Sequence, residues 1–189
     1  MYSLLKNYIK RETSISEEHL DLICSYFKKV ETKRNEIIIG FDDVCSNYYF
    51  INKGCIRLYT INSDGTENSR YFAFEGMLCT ALPSFIDQKP AREYLQTIEK
   101  SQLLVITRVD FYKLVAQFSE FGIIHIRILE LAFISAQQRI YGFQGFDAFE
   151  KVKWIIKNQP HFLLRVSNKM AASYLGISPS TLSRVKSKL

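Results

Sequence analysis

Metal-binding and redox signals are scarce in this chain of 189 residues. Its four cysteines, Cys24, Cys45, Cys55 and Cys79, lie far apart, and none belongs to a CxxC pair. A zinc or iron–sulfur site wants tighter spacing, or histidines close by. The three histidines, His19, His125 and His161, stand singly, and packed or surface roles account for them. No metal and no cofactor is therefore expected. A catalytic Ser-His-Asp or Cys-His group assembles in space and stays open at this level. Nothing local supports one, and the reading is of a protein that is not an enzyme. Long apolar runs are missing too: none approaches the roughly 18 residues of a membrane helix. The N-terminal MYSLLKNYIKRETS lacks the charged-then-apolar layout of a signal peptide. A cytoplasmic protein without membrane contact is expected.

Net charge is absent from most of the chain. Residues 1–146 hold equal numbers of basic and acidic groups, so the formal +6 sits entirely in residues 147–189, where eight lysines and arginines face two acids. A basic terminal segment favours a polyanion such as nucleic acid. On charge alone, a solvated basic tail remains the alternative. Hydrophobic residues make up 47% of the chain, enough for one sizeable core or two small ones.

Residues 14–29 open on serines followed by Glu17 and Glu18, a helix start, and Ile15, Leu20, Ile23 and Phe27 recur at helical spacing. From Glu36 to Thr107 the character changes. EIIIG, NYYFINKG, CIRLYTIN, ENSRYFAFEG, YLQTIEK and QLLVIT are short β-branched and aromatic runs separated by Gly, Asp, Asn and Pro. Asn62-Ser63-Asp64-Gly65 marks a hairpin turn. Such spacing predicts an antiparallel sandwich or roll. A metalloenzyme on a β-roll would need His and Glu ligands from its strands, yet residues 36–107 contain no histidine. Thr107 and Asp110 then start a short helix, VDFYKLVAQF.

Residues 122–142 read as a long helix. Ile124, Ile128, Leu131, Ile134 and Tyr141 form one stripe; Ile123, Ile126, Phe133 and Ile140 form part of a second. One stripe can pack on the β-rich part, and the other needs a further surface, for which a second copy of the same helix is an economical choice. A helix buried within one chain is the alternative. The first stripe, Ile124 to Tyr141, is taken as the dimer interface. Gly142 to Gly145 are expected to break the helix. FDAFEKVKWIIKN, residues 146–158, forms another helix, ended by Asn158-Gln159-Pro160.

The last stretch is VSNKMAASYLGISPSTLSRVKSKL. A helix from about Asn168 to Leu175 stops at Gly176, which can take the left-handed turn that ends a helix. Ser178 caps a new helix with Pro179 in its first turn, where a missing amide donor costs nothing. Helix, short turn and helix make a helix-turn-helix. Ala172 permits close helix approach, and Met170, Leu175, Ile177, Leu182 and Val185 supply apolar contacts. Lys169, Ser178, Ser180, Thr181, Ser183, Arg184, Lys186 and Lys188 are the candidate DNA contacts, hydroxyls and cations suited to phosphates and base edges.

These motifs together resemble the Crp/Fnr family of regulators. YYFINKGCIRLYTINSDGTE is similar to its strand–Gly–strand hairpin, FAFEGMLCTALPSFIDQKPAREYLQTIEKSQLLVITRVDFYKL to the region of its ligand cassette, and MAASYLGISPSTLSRVKSKL to its DNA-reading helices. The resemblance spans essentially the whole chain. It implies an α+β protein: an antiparallel, jelly-roll-like β-roll with flanking helices over 1–118, a dimerisation helix and hinge over 119–145, and a helix-turn-helix domain over 146–189. It further implies homodimers on a two-fold-related promoter site, with RNA polymerase and an unidentified small-molecule effector as further partners. Many relatives continue into a β-hairpin wing after the recognition helix, which this sequence does not show, and the N-terminal cysteine cluster of the oxygen-sensing branch is missing. The alternative function is a β-roll that senses a nucleotide or other anion, with DNA binding secondary.

Within the cassette the resemblance implies Lys89, Arg92 and Glu93 as the effector pocket. The family's nucleotide binders hold the cyclic phosphate with an Arg-Ser pair. Arg92 falls at the arginine position, but Glu93 stands where serine would be. The ribose-binding glutamate is missing as well: after Gly76 come Met77, Leu78, Cys79 and Thr80, with no acid before Asp87. Like charges at about 4 Å cost several kcal/mol at intermediate dielectric, so cyclic AMP binding of the usual kind is not expected. Lys89 and Arg92 could attract another anion or be two solvated cations.

Overall fold

The computed structural model describes residues 2–189, the side chain of Phe143 excepted. Two compact units emerge: Met1–Leu58 with Phe72–Leu131, and Tyr59–Tyr71 with Ala132–Leu189. The division runs through the long helix and sets the tip of one hairpin with the C-terminal helices.

The first unit begins with α1 (Ser3–Glu12) and α2 (Glu17–Ser25). The strands that follow are β1 (Lys28–Thr32), β2 (Ile37–Ile39), β3 (Asn47–Lys53), β4 (Ile56–Ile61), β5 (Glu67–Ala73), β6 (Leu78–Cys79), β7 (Tyr94–Thr97) and β8 (Ser101–Thr107), with α3 (Leu82–Asp87) between β6 and β7. They form two four-stranded sheets, ordered β1-β8-β3-β6 and β2-β7-β4-β5. The pairs β1 with β8, β3 with β8, β3 with β6 and β2 with β7 are antiparallel. This is the β-roll that the alternating aromatic and β-branched runs predict. Phe50, Ile51, Leu58, Phe72, Leu95, Leu103, Leu104 and Ile106 fill its core. The reversal between β3 and β4 requires glycine: Gly54 has φ +104°, and a Cβ there would lie 2.1 Å from Ser101 Oγ. That hydroxyl accepts the Cys55 amide at 3.3 Å.

Three local expectations need correction. The helix expected over 14–29 ends at Ser25 after starting at the Ser16 cap, because Lys28–Thr32 pair with Ser101–Val105. A ladder of interstrand hydrogen bonds outweighs the helical propensity of FKK. α1 was not anticipated, although Leu5, Tyr8 and Ile9 are buried at helical spacing. The long helix α5 (Ser119–Gly145) does not break at Gly142 but runs to Gly145. Glycine in a helix interior costs only about 1 kcal/mol relative to alanine, which a helix of 27 residues carries. α4 (Arg108–Gln117) starts as expected, with Thr107 Oγ1 accepting the Asp110 amide at 3.1 Å.

The second unit holds α6 (Ala148–Asn158), α7 (Phe162–Arg165), α8 (Asn168–Leu175) and α9 (Pro179–Lys186). A capping box opens α6: Asp147 accepts the Glu150 amide, and Glu150 accepts the Asp147 amide. Val152, Ile155, Phe162, Val166, Ala171, Ala172, Leu175 and Leu182 form its core. The Asn62–Gly65 turn closes the β4–β5 hairpin, with Gly65 donating to the Asn62 carbonyl at 2.9 Å. Ser173 Oγ donates to the Glu67 carbonyl at 2.8 Å and accepts the Ser69 amide at 2.9 Å, fastening the hairpin tip to α8.

Candidate nucleic-acid interface

Every junction of the helix-turn-helix has a side-chain or backbone cause. Ser167 caps α8 through the Met170 amide. Gly176, at φ +64°, ends it, and the Ile177 amide returns to the Ala172 carbonyl at 3.1 Å. Such left-handed closure favours glycine, which has no Cβ to clash. Ser178 Oγ then accepts the Thr181 amide at 3.0 Å, and Pro179 occupies the first turn of α9. Fully buried Ala171, Ala172 and Leu182 lie between the helices. Asn168, which the sequence reading passed over, ties them further: its Nδ2 donates to the Pro179 carbonyl at 3.1 Å and to Ser183 Oγ at 3.2 Å. Its place in the first turn of α8 was the available signal.

Leu182 points inward and so fixes what α9 turns outward. Ser180, Ser183 and Arg184 are exposed, and Thr181 is half-buried. Ser180 and Arg184 are four residues apart and share a face. Arg184 Nη2 lies 3.4 Å from Thr181 Oγ1, and Ser178 Oγ sits 2.9 Å from Ser180 Oγ and 2.8 Å from Thr181 Oγ1. A run of hydroxyls beside one guanidinium thus lies at the helix N-terminus, whose positive dipole end also favours anions. Lys169 is exposed on the first turn of α8, and Lys188 is exposed just beyond α9. No acidic residue follows Glu150. Lys186 departs from this set: two residues beyond Arg184, it is turned about 200° around the helix and lines a groove with Lys153 and Lys157.

Beneath α8 lies a further polar support that the sequence did not reveal. Arg139 Nη2 donates to the Ser69 carbonyl at 3.0 Å, and its guanidinium lies 4.8 Å from the centre of the Tyr174 ring. Burial pushes the Arg139 pKa down and that of Tyr174 up.

The row assigned to the dimer interface is divided. Ile124 and Ile128 are buried in the first unit's own core, whereas Leu131, Ile134 and Tyr141 stay exposed. Ile123, Ile126, Phe133 and Ile140 are exposed as well, and the last three recur every seven residues. That spacing makes an unpartnered apolar seam along α5.

The cassette residues do not converge. Arg92 is 77% exposed, with Nη1 3.4 Å from Asp42 Oδ1 and its guanidinium 5.4 Å from the Phe41 ring centre. Glu93, in the bend that precedes β7, is only 7% exposed. Lys89 is exposed, and its carbonyl accepts Ser84 Oγ at 2.5 Å. A second buried charge, Arg57, is 1% exposed. All four cysteines are buried thiols, and burial raises the Cys24 pKa to about 11. Among the described residues no group of three or more His, Cys, Asp or Glu is placed to hold a metal, and no helix is long and apolar enough to cross a membrane.

Residues 29–118 match the family model of the cyclic nucleotide-binding domain. No curated protein matches the chain in sequence. Among solved structures, FixK2 from Bradyrhizobium japonicum is 19% identical, with a TM-score of 0.77 over 86% of this chain and 84% of that one. The catabolite activator protein of Thermus thermophilus is 20% identical, with a TM-score of 0.56 over 93% and 84%. A protein of Eubacterium rectale assigned to the crp/fnr family of transcriptional regulators is 14% identical, with a TM-score of 0.71 over 96% and 87%. At these identities the likeness is one of fold.

Proposed function

From a chain that carries a cyclic nucleotide-binding-type domain and has the fold of the Crp/Fnr-type regulators, we propose a homodimeric transcriptional regulator that reads a two-fold-related DNA site with α9. The observation that carries this reading is the face of α9. Ser180, Thr181, Ser183 and Arg184 stand at the Ser178-capped N-terminal turn of α9, and no Asp or Glu follows Glu150. Arg184 suits a guanine edge, the hydroxyls suit phosphates and bases, and Lys169 and Lys188 suit the backbone. Two copies joined along Ile126, Phe133 and Ile140 would present two such faces, which is what a palindromic site asks for. The effector is something other than a cyclic nucleotide held in the family's manner, since Arg92 is exposed while Glu93, where a serine would be needed, is buried.

Selection from random duplexes tests the reading. Repeated rounds with the purified protein should enrich an inverted repeat with half-sites about one helical turn apart. Failure to enrich any sequence, with binding that depends on salt alone, would reduce the protein to a non-specific polycation.

A further inference from the structure

The second unit has another concave surface, which DNA reading leaves unused. An open groove of about 440 Å³ is lined by Lys153, Ile156, Lys157, Leu163, Lys186 and Leu189. Its volume falls within the roughly 300–1,000 Å³ typical of ligand sites. Ile156 and Leu189 are 40% and 53% exposed, so its floor offers apolar surface to solvent. Lys153, Lys157 and Lys186 line the groove beside that apolar surface, and no Asp or Glu side chain does. Lys153, Ile156 and Lys157 are spaced three and four apart, which sets all three on one face of α6.

We propose that this groove receives an acidic amphipathic segment of a partner protein. Its apolar side chains would cover Ile156, Leu163 and Leu189, while its carboxylates meet Lys153, Lys157 and Lys186. Charge complementarity selects this occupant. A second copy of the groove is repelled, because residues 147–189 carry the whole +6. Nucleic acid fits the rim but not the floor, since phosphates gain nothing from exposed Ile156 and Leu189 or half-buried Leu163. Lys186 is also turned about 200° from Arg184, so the groove and the base-reading face are separate surfaces of one small unit. A partner segment can therefore sit here while α9 occupies DNA.

The test uses the full chain and a fluorescein-labelled synthetic peptide rich in Glu and Asp, with leucines at positions i, i+3 and i+4. One control peptide replaces the leucines by serine, and a second replaces the acids by glutamine and asparagine. Anisotropy should show saturable binding of the first peptide alone. Ile156→Ser with Lys157→Glu should weaken it at least about tenfold, without moving the melting temperature or the affinity for duplex DNA. Absence of binding, equal binding of the serine control, or an unaffected double variant would each overturn the proposal. So would displacement of the peptide by duplex, joined with loss of DNA affinity in the variant, which would make the groove part of the DNA contact. The duplex arm is read separately, so a protein that binds the peptide but no DNA would leave this inference standing while the regulator reading fell.

Discussion

The β-roll buries two charged side chains, and the C-terminal helices bury none. In the β-roll, Arg57 and Glu93 are buried, while Arg92 stands outside against Asp42 and Phe41. In the C-terminal helices every cation after Glu150 except half-buried Lys151 and Arg165 is exposed, and no Asp or Glu accompanies them. A small-molecule pocket needs polar groups converging on one dry point. A polyanion surface needs only cations spread along an open face. The same chain thus has the fold of a cyclic nucleotide-binding domain without a convergent Arg-Ser pair, yet displays cations unopposed by acids on its C-terminal helices. A fold does not by itself carry a site with it.

The sharpest way to break this comparison lies in α5, which belongs to both regions. Ile128→Glu would place an uncompensated carboxylate in the first unit's core, where Ile128 is 7% exposed. A loss of about 3–5 kcal/mol is expected, read as a collapse of the melting transition. Phe133→Glu, on the exposed seam, should leave the protomer folded and instead abolish dimers in sedimentation. Should Ile128→Glu give folded monomers, the residue belongs to the interface and its burial in the protomer is incidental.

Next in size is the recognition helix. Arg184→Ala should cost about 1–3 kcal/mol against the selected site and relax the preference at one base pair of each half-site. Lys188→Ala should weaken cognate and random duplexes alike and lower the salt slope by about one unit per site. Equal losses on both kinds of DNA for Arg184→Ala would make it a phosphate contact only.

The two regions also differed in how readily the sequence disclosed them. The helix-turn-helix was legible almost to the residue, because its boundaries are set locally: Ser178, Pro179 and Gly176 each act within four positions of themselves. The β-roll was legible as a class from its strand runs, but β1 was not, since Lys28–Thr32 are held by residues some seventy positions away. The dimer row was half legible. Periodicity found both stripes of α5 but could not say which one its own chain would bury, and Ile124 and Ile128 turned inward. Lys186 shows a similar limit: its residue type does not say which side of α9 it occupies, and only the helical wheel sets it about 200° from Arg184.

A smaller effect is expected from pH. His125 packs edge-on to Phe111 and Tyr112, with ring centroids 5.3 and 5.8 Å away, and burial lowers its pKa. The unfolded chain therefore binds more protons than the folded one. The neutral imidazole's contribution is complete above about pH 6.5, the usual histidine value, and is lost as pH falls through the lower folded value. Melting temperature should drop between pH 7 and pH 5, and His125→Gln should flatten that part of the curve. An unchanged slope in the variant would assign the dependence to other groups.

The smallest expected effect is none. A ligand at about 100 times its dissociation constant stabilises a protein by about 2.7 kcal/mol, so millimolar cyclic AMP or cyclic GMP would raise the melting temperature visibly even with a Kd in the ten-micromolar range. No shift and no heat are expected. Arg92 is exposed with Asp42 at 3.4 Å, and Glu93 is buried. To bind the cyclic phosphate, Arg92 would have to leave Asp42 and turn inward. It would then meet a carboxylate at the very position where the phosphate needs a hydroxyl. Glu93→Ser is the discriminating variant: if it gains affinity for cyclic AMP, the lost serine alone disabled an otherwise intact pocket. If it gains none, the missing acid between Gly76 and Asp87 matters as much. A clear melting shift of the unaltered protein by either nucleotide would mean that Arg92 and Glu93 rearrange on binding, and the contrast between the two regions would then reflect the empty state only.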